Sequence, residues 1–525
     1  MRIPGPVRSR STVFAVLLTG TLSIAVFDAC AATIAPVAGA DHKKAAAGKT
    51  TKSTAAVKRP PVTTAKGTPA RKPGASQSKA PVAYHARTDV RNQIRQPQQQ
   101  AKGSPVKLQP VTLAKSQPKT AVRRSYAASR YRAPVRRPVV RVPAYSLEER
   151  EAALAWINEN MAPKAETFEN VRALVPFFEQ LYQSEQNKTA VHILHYGDSH
   201  SASDDFPNTL RETFQARFGN GGPGFSLAGH PFAGYRRYDV PSFASTRSWI
   251  TEGVLTRRGD PMQGLGGISM NSNRPGETVQ MTAAGDESEL LFLQQPDGGS
   301  VEVWVDDNLL GTVSTQGELR PATAPLIETP GEHRYMFKTV TSNPVRLFGT
   351  VVQNKSGVTW ESMGINGAQA TMLADWDENI LEAHLAKRNP ALIVLAYGTN
   401  EANNPRFDPK DYVATLRKVL SRLRKGAPLA SILLIGPPDC HVPKQNLDAV
   451  IDAQIKVAHE MGAAFWSWRD HMGGEDSIGK WVEVGLAQGD HIHMTTNGYQ
   501  MVGHALAEEL LIQYQRFVNA RMETE

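Results

Sequence analysis

The chain has 525 residues, which is too many for one ordinary domain and enough to bury a large hydrophobic core. Its composition is typical of a globular protein, but its net charge of +9 is unevenly distributed. Residues 32–143 contain 24 Lys and Arg and only 2 Asp and Glu, whereas residues 144–525 carry a net charge of −15. The chain therefore joins a basic arm to an acidic globular part.

The first 31 residues have the pattern of an export signal. Arg2, Arg8 and Arg10 precede an apolar stretch, and small residues follow at 29–31 and again at 38–40. We expect residues 1–31 to be a signal peptide that directs the protein to the periplasm. The alternative is an uncleaved segment that tethers the protein to the membrane.

Residues 32–143 are rich in Ala, Pro, Lys, Arg, Gln and Ser and contain few large apolar side chains. Such a segment buries too little surface to offset the entropy lost on ordering, so it is predicted to be disordered. It is either a plain spacer or a tether that contacts an anionic cell-wall or membrane surface. The export signal and the lack of an aromatic stacking pattern argue against nucleic acid as a partner.

Ordered structure is predicted to begin at residue 144, and Ser146-Leu-Glu-Glu149 is a capping box that opens a helix. Residues 191–196 form an apolar strand that ends at Gly197-Asp198-Ser199-His200. Open α/β sheets bind ligands at the carboxyl ends of their strands, which makes Ser199 a candidate nucleophile. Asp-Ser in this position is also a common helix cap, so this tetrapeptide alone is a weak signal.

Residues 277–352 interrupt this pattern with short alternating runs that are separated by turn residues. They are predicted to form a small antiparallel β domain inserted between two parts of one α/β domain, residues 144–276 and 353–525. After this insertion comes Gly364-Ile-Asn-Gly367, a glycine-containing loop that allows a tight turn and close backbone approach.

From residue 391 onward, strands and helices alternate, which is typical of a parallel sheet covered by helices on both faces. The strand at 391–397 ends at Gly398-Thr399-Asn400, where an Asn side chain can donate a hydrogen bond to an anion. A turn Asn is the structural alternative.

The last motif is Asp490-His-Ile-His493, which precedes a long closing helix. Asp490 and His493 are three residues apart, so the carboxylate can lie beside the imidazole. Metal binding by His491 and His493 is the alternative, but the sequence offers no third and fourth ligand with suitable spacing.

Taken together, the order of Ser199, Gly367, Asn400 and Asp490-x-x-His493 resembles the SGNH (GDSL-like) hydrolase superfamily. The glycine-rich run at 218–225 and Gly357-Val358 are similar to the bacterial peptidoglycan O-acetylesterase group, in which a carbohydrate-binding-like β module interrupts the hydrolase domain. The resemblance covers roughly residues 190–510 and implies a three-layer, flavodoxin-like α/β fold.

The resemblance implies that Ser199 is the nucleophile, His493 the general base and Asp490 its orienting acid. It further implies that the backbone N–H groups of Ser199 and Gly367 and the side chain of Asn400 form the oxyanion hole, with no cofactor or metal. The expected reaction is removal of O-acetyl groups from peptidoglycan. The alternatives are an esterase or acetyltransferase acting on another extracellular polysaccharide, and a non-catalytic cell-wall-binding protein.

Overall fold

The computed structural model describes residues 146–244 and 249–524. The predicted signal peptide (1–31) and basic arm (32–143) lie outside these residues. The helices are α1 Leu147–Met161, α2 Val175–Asn187, α3 Ser199–Ala202, α4 Asp205–Phe218, α5 Glu378–Arg388, α6 Thr399–Ala402, α7 Pro409–Gly426, α8 Lys444–Met461, α9 Trp468–His471, α10 Ile478–Glu483 and α11 Thr496–Thr524. Among them, none is both long and apolar enough to cross a membrane.

Seventeen strands are distributed over three sheets within the described residues. They are β1 Phe168–Glu169, β2 Ala190–Gly197, β3 Gly224–Leu227, β4 Ser242–Ala244, β5 Ile250–Glu252, β6 Ser269–Ser272, β7 Thr278–Gly285, β8 Glu287–Gln294, β9 Ser300–Val305, β10 Asn308–Ser314, β11 Arg320–Pro325, β12 Gly331–Thr339, β13 Val345–Gln353, β14 Gly357–Gly364, β15 Leu392–Ala396, β16 Ser431–Ile435 and β17 Ala464–Trp466.

The first sheet has the order β1-β17-β16-β15-β2-β14, in which all strands except β1 run parallel. Numbered along the chain, its five parallel strands lie in the order 2-1-3-4-5, which is the flavodoxin-like arrangement. The strand order reverses between β2 and β15. Ligands of such folds bind at this switch point, beyond the carboxyl ends of the strands.

Alternate residues of the central strands contribute to two separate hydrophobic layers, because side chains of a strand point alternately to opposite faces. Leu194 and Leu395 pack with apolar residues of α5, α7 and α8. Ile193 and Val394 pack with those of α2, α4 and α11 on the other face. Helices therefore cover both faces of the parallel sheet, as its nearly continuous apolar strands require.

The other two sheets are antiparallel and enclose a third hydrophobic core. One has the order β10-β9-β12-β7-β4 and the other β11-β8-β13-β6-β5, with β3 paired to β13. In β8, Leu290 and Phe292 point into this core, whereas Leu291 and Leu293 belong to the core of the parallel sheet. The second antiparallel sheet is thus buried on both faces and is joined to the α/β domain by packing.

The antiparallel region extends further along the chain than the predicted segment 277–352. Strands β3 to β6, between residues 224 and 272, pair into the same two sheets. Each of them has only three or four residues. Such short strands are not long enough to show the alternation of apolar and polar residues on which the prediction depended.

Candidate active site

Ser199 lies at the end of β2, where the chain turns directly into the short helix α3. Two glycines, Gly197 and Gly364, are paired across β2 and β14 beneath this helix. A Cβ atom at Gly197 would lie 2.2 Å from Ser201 Oγ, and one at Gly364 would lie 2.3 Å from the backbone nitrogen of Ala202. Both positions require glycine because the helix that begins with Ser199 packs directly onto the strand ends.

Three side chains form a continuous hydrogen-bonded chain at this edge of the sheet. Ser199 Oγ lies 2.9 Å from His493 Nε2, and His493 Nδ1 lies 2.8 Å from Asp490 Oδ2. The other carboxylate oxygen of Asp490 accepts hydrogen bonds from the backbone N–H groups of Ile492 (2.9 Å) and His493 (3.0 Å). The structure thus brings the predicted nucleophile, base and acid into the geometry that activates a serine.

Asp490 is held in its ionised form. Partial burial raises the pKa of its carboxyl, but the hydrogen bonds from the ring and backbone of His493 and from the backbone of Ile492 outweigh this effect and leave the pKa below its ordinary value. A carboxylate that stays ionised can fix the tautomer of His493 and stabilise the imidazolium form.

The predicted oxyanion residues Gly367 and Asn400 line the same cavity as Ser199 and His493, and its volume is about 700 Å³. Gly367 has φ +76°, a conformation that favours glycine. Asn400 Nδ2 donates to the carbonyl of Ala368 (3.0 Å) and to Asp198 Oδ2 (3.3 Å). The glycine loop, the nucleophile turn and the Asn400 loop are therefore in direct contact.

Asp198 and His200, on either side of the nucleophile, are almost completely buried. Burial raises the pKa of Asp198 to about 7, against opposing hydrogen-bond and charge effects of His200 and His493. His200 Nδ1 lies 3.0 Å from the Tyr499 hydroxyl, and its Nε2 lies 3.3 Å from Thr399 Oγ1. Burial lowers the pKa of His200 to about 3, so this imidazole is neutral and structural.

Glu401 also contributes to the site, although no motif in the sequence indicated it. Its Oε1 accepts a hydrogen bond of 2.7 Å from the backbone N–H of Ala370, and Gln369 Nε2 donates to the carbonyl of Asn400 at 2.9 Å. These bonds fasten the loop that carries Gly367 to the loop that carries Asn400. The partners are 31 residues apart, so only the fold brings them together, and a carboxylate next to Asn400 was the only signal in the sequence.

His491, the alternative imidazole of the last motif, lies outside the Ser199–His493–Asp490 chain. Its ring packs 6.4 Å from that of His441, between centroids, and its backbone carbonyl accepts from the His441 N–H. In the part of the chain that the structure describes, no group of three or more His, Cys, Asp or Glu side chains is placed to hold a metal ion.

Residues 337–501 match the GDSL-like lipase/acylhydrolase family. This segment contains Gly367, Asn400, Asp490 and His493 but not Ser199. Comparison with curated proteins gives no match. A solved structure described as a peptidoglycan O-acetylesterase in action is similar to the chain, with 28% sequence identity and a TM-score of 0.57. The similarity covers 65% of this chain and 96% of that chain.

Two family two carbohydrate esterases show a more distant likeness. The enzyme from Cellvibrio japonicus has 12% identity and a TM-score of 0.24, over 53% of this chain and 99% of that chain. The enzyme from Clostridium thermocellum, in complex with cellohexaose, has 13% identity and a TM-score of 0.25, over 46% and 94%.

The flavodoxin-like strand order, the hydrogen-bonded chain from Ser199 to Asp490 and the match to the acylhydrolase family support one conclusion. The chain is an SGNH-type serine esterase that resembles the peptidoglycan O-acetylesterase group.

Proposed function

We propose that this esterase removes O-acetyl groups from cell-wall peptidoglycan through an acetyl-Ser199 intermediate. The observation that carries the reaction is the unbroken chain of hydrogen bonds from Ser199 through His493 to Asp490. The substrate is supported by the likeness to a peptidoglycan O-acetylesterase, which extends over 96% of that protein. We also propose that the antiparallel sheets form a carbohydrate-binding-like module.

In the first half of the reaction, Ser199 Oγ attacks the acetyl carbonyl carbon while His493 Nε2 accepts the hydroxyl proton. A neutral serine hydroxyl is a weak nucleophile, and the 2.9 Å contact places the base where it is needed. Asp490 stabilises the imidazolium that forms, because its carboxylate is hydrogen-bonded to His493 Nδ1. His493 then passes the proton to the departing sugar oxygen.

The negative charge of the tetrahedral intermediate would be stabilised by the N–H groups of Ser199 and Gly367 and by Asn400 Nδ2. Each such donor contributes about 3 kcal/mol in comparable oxyanion holes. Asn400 Nδ2 now donates to Asp198 at 3.3 Å, a long bond that the oxyanion would replace at little cost.

In the second half, water enters the open cavity and His493 removes a proton from it as it attacks the acetyl-Ser199 carbonyl. The tetrahedral intermediate then collapses with cleavage of the bond between Oγ and the acetyl carbon. His493 returns its proton to Ser199 Oγ, and acetic acid leaves and ionises in water. His493 carries each proton that is transferred at the reacting atoms, so the reaction as proposed requires no cofactor. The export pattern of residues 1–31 supports a periplasmic location, where the substrate would be found.

The test is acetate release from O-acetylated peptidoglycan, compared with acetylated xylan and a fatty-acyl ester at equal ester concentration. We expect peptidoglycan to be preferred by kcat/KM. A preference for xylan or for the fatty-acyl ester would contradict the proposed substrate but not the esterase chemistry. Transfer of acetyl groups to added glycan without release of acetate would contradict hydrolysis.

A further inference from the structure

Of the residues that the structure describes, one arginine lines the active-site cavity: Arg236, from the antiparallel region of the chain. Among the described residues that line this cavity, the other charged or basic side chains are Asp205 and His493. Asp205 is only 4% exposed, whereas the side chain of Arg236 is 53% exposed. A bound substrate would therefore meet the guanidinium and not the carboxylate.

Arg236 is fixed relative to the nucleophile. Its backbone N–H donates to the carbonyl of Ala202, the last residue of the short helix that begins with Ser199. Its Nη2 lies 3.2 Å from Asp205 Oδ2, and the other oxygen of Asp205 accepts a 2.6 Å hydrogen bond from the Tyr238 hydroxyl. The guanidinium also lies over the Tyr238 ring, 5.8 Å from its centroid. A cation so placed is preorganised for binding.

The guanidinium retains free hydrogen-bonding capacity. Arginine has five N–H donors, and within the described residues only Nη2 of Arg236 has a hydrogen-bonded partner. The neighbouring Arg237 is the opposite case. It is 5% exposed, and its donors are occupied by the carbonyls of Phe225 and Pro223 and by Asp239. Arg237 is a structural residue, whereas Arg236 presents unused donors at the cavity.

We propose that Arg236 is a substrate-recognition residue that binds a carboxylate of the glycan and makes the esterase selective for anionic over neutral acetylated glycans. Guanidinium and carboxylate form charge-assisted, often bidentate pairs. In peptidoglycan, each muramyl unit carries a lactyl group whose carboxyl is free or extended by a peptide with its own carboxylates, whereas acetylated xylan backbones are neutral. The inference rests on the proposed function and specifies which part of that substrate is recognised.

The test compares an O-acetylated muropeptide with the same muropeptide after amidation of its carboxyl groups. We expect the unmodified protein to prefer the anionic form by roughly tenfold in kcat/KM, as one charge-assisted contact would provide. In Arg236→Gln the ratio of kcat/KM for the anionic form to that for the amidated form should fall close to one, mainly through a higher KM for the anionic substrate. Arg236→Lys should retain part of it, because it keeps the charge but not the paired donors.

Arg417→Gln is the matched control, since Arg417 is a similarly exposed arginine of α7 that pairs with Glu460 away from the cavity. It should keep the full preference, and thermal unfolding should confirm that all variants fold. An unchanged preference in Arg236→Gln would overturn the role of Arg236 while leaving peptidoglycan as the substrate. Failure to release acetate from either muropeptide would instead contradict the proposed function.

Discussion

At the scale of single residues, two imidazoles lie side by side in the site, but only one can act as a base. The rings of His200 and His493 are 5.3 Å apart. Both nitrogens of His200 are occupied by Tyr499 and Thr399, and the ring is 2% exposed. His493 lines the cavity and contacts Ser199. Proton exchange with the nucleophile and with water is therefore assigned to His493.

Substitution of a residue in the hydrogen-bonded chain Ser199–His493–Asp490 should strongly lower activity without unfolding the protein. We expect Ser199→Ala and His493→Ala to lower kcat on an aryl acetate by roughly 10³-fold or more, and Asp490→Ala somewhat less, because these residues act as one unit. Steady-state kinetics with circular dichroism checks this. His491→Asn is the control, since asparagine tolerates the φ of +56° at this position. Loss of activity in this control with full activity in His493→Ala would reverse the assignment of the base.

Glu401 should make stability depend on pH in an unusual direction. Burial raises the pKa of its carboxyl to about 8 in the folded protein, against an ordinary value of 4.5. Between these values the unfolded chain has released the proton and the folded protein still holds it. The contribution of Glu401 to stability therefore falls as pH rises through this range.

In Glu401→Gln this contribution is absent, while an oxygen remains to accept the Ala370 N–H. The melting temperature of the variant minus that of the unmodified protein should therefore increase from about pH 5 to about pH 8. The corresponding change in the difference between the two free energies of unfolding is of the order of 1 kcal/mol or more, because one pKa unit corresponds to about 1.4 kcal/mol. Thermal unfolding across this range measures it, and a constant difference would mean that Glu401 is ionised in the folded protein.

At the scale of elements, the antiparallel sheets hold a loop of the chain against the oxyanion residues. Leu255, which follows β5, is 52% exposed and lies beside Gly367, where an added Cβ atom would be 2.9 Å from its side chain. Arg346 of β13 fastens this loop through bidentate hydrogen bonds to Asp260 of 2.6 and 2.8 Å and a bond of 2.9 Å to the carbonyl of Met262.

Arg346→Ala should release this loop and lower kcat/KM by roughly tenfold, since small displacements at a site are costly to catalysis. Hydrogen exchange should increase in residues 252–262 at the same time. Arg334→Ala is a suitable control, because Arg334 makes an exposed ion pair with Asp307 in the same region. If loop exchange rises while activity is unchanged, the loop does not help to shape the site.

Most of the α/β elements could be predicted from the sequence because their signals are local. The apolar run at 191–196 and the capping box at Ser146 each depend on neighbouring residues, and both are present in the structure. Arg236 and Glu401 could not be identified as site residues from the sequence, since their roles depend on contacts between distant segments. Strands β3 to β6 were missed for the same reason, as pairing and not periodicity defines them.

At the scale of the whole molecule, a basic arm of net charge +22 precedes an acidic part of charge −15. A positive tether would concentrate an exported enzyme on an anionic, insoluble substrate. If the arm is the coil that its composition predicts, it would also extend the reach of the enzyme by roughly 50–60 Å root-mean-square. Salt distinguishes the two effects, because screening over about 10 Å at 0.1 M weakens adhesion but leaves reach unchanged.

Deletion of residues 32–143 should leave the turnover of a soluble ester unchanged. It should reduce sedimentation with cell-wall sacculi at low salt, and high salt should remove the difference, because only the electrostatic contribution is screened. A pull-down of both proteins across a salt series measures this. Equal sedimentation at low salt would show that the arm is a spacer.

The most direct test of the serine mechanism is detection of the acyl-enzyme on Ser199. The protein would be mixed with an O-acetylated substrate, quenched in acid within milliseconds and digested for mass spectrometry. The serine mechanism predicts one acetyl group on the peptide that contains Ser199, lost on longer incubation. In Ser199→Ala it predicts no acetylation, and acetate release slowed by roughly 10³-fold or more. Acetate release by Ser199→Ala at the rate of the unmodified protein would rule out Ser199 as the nucleophile.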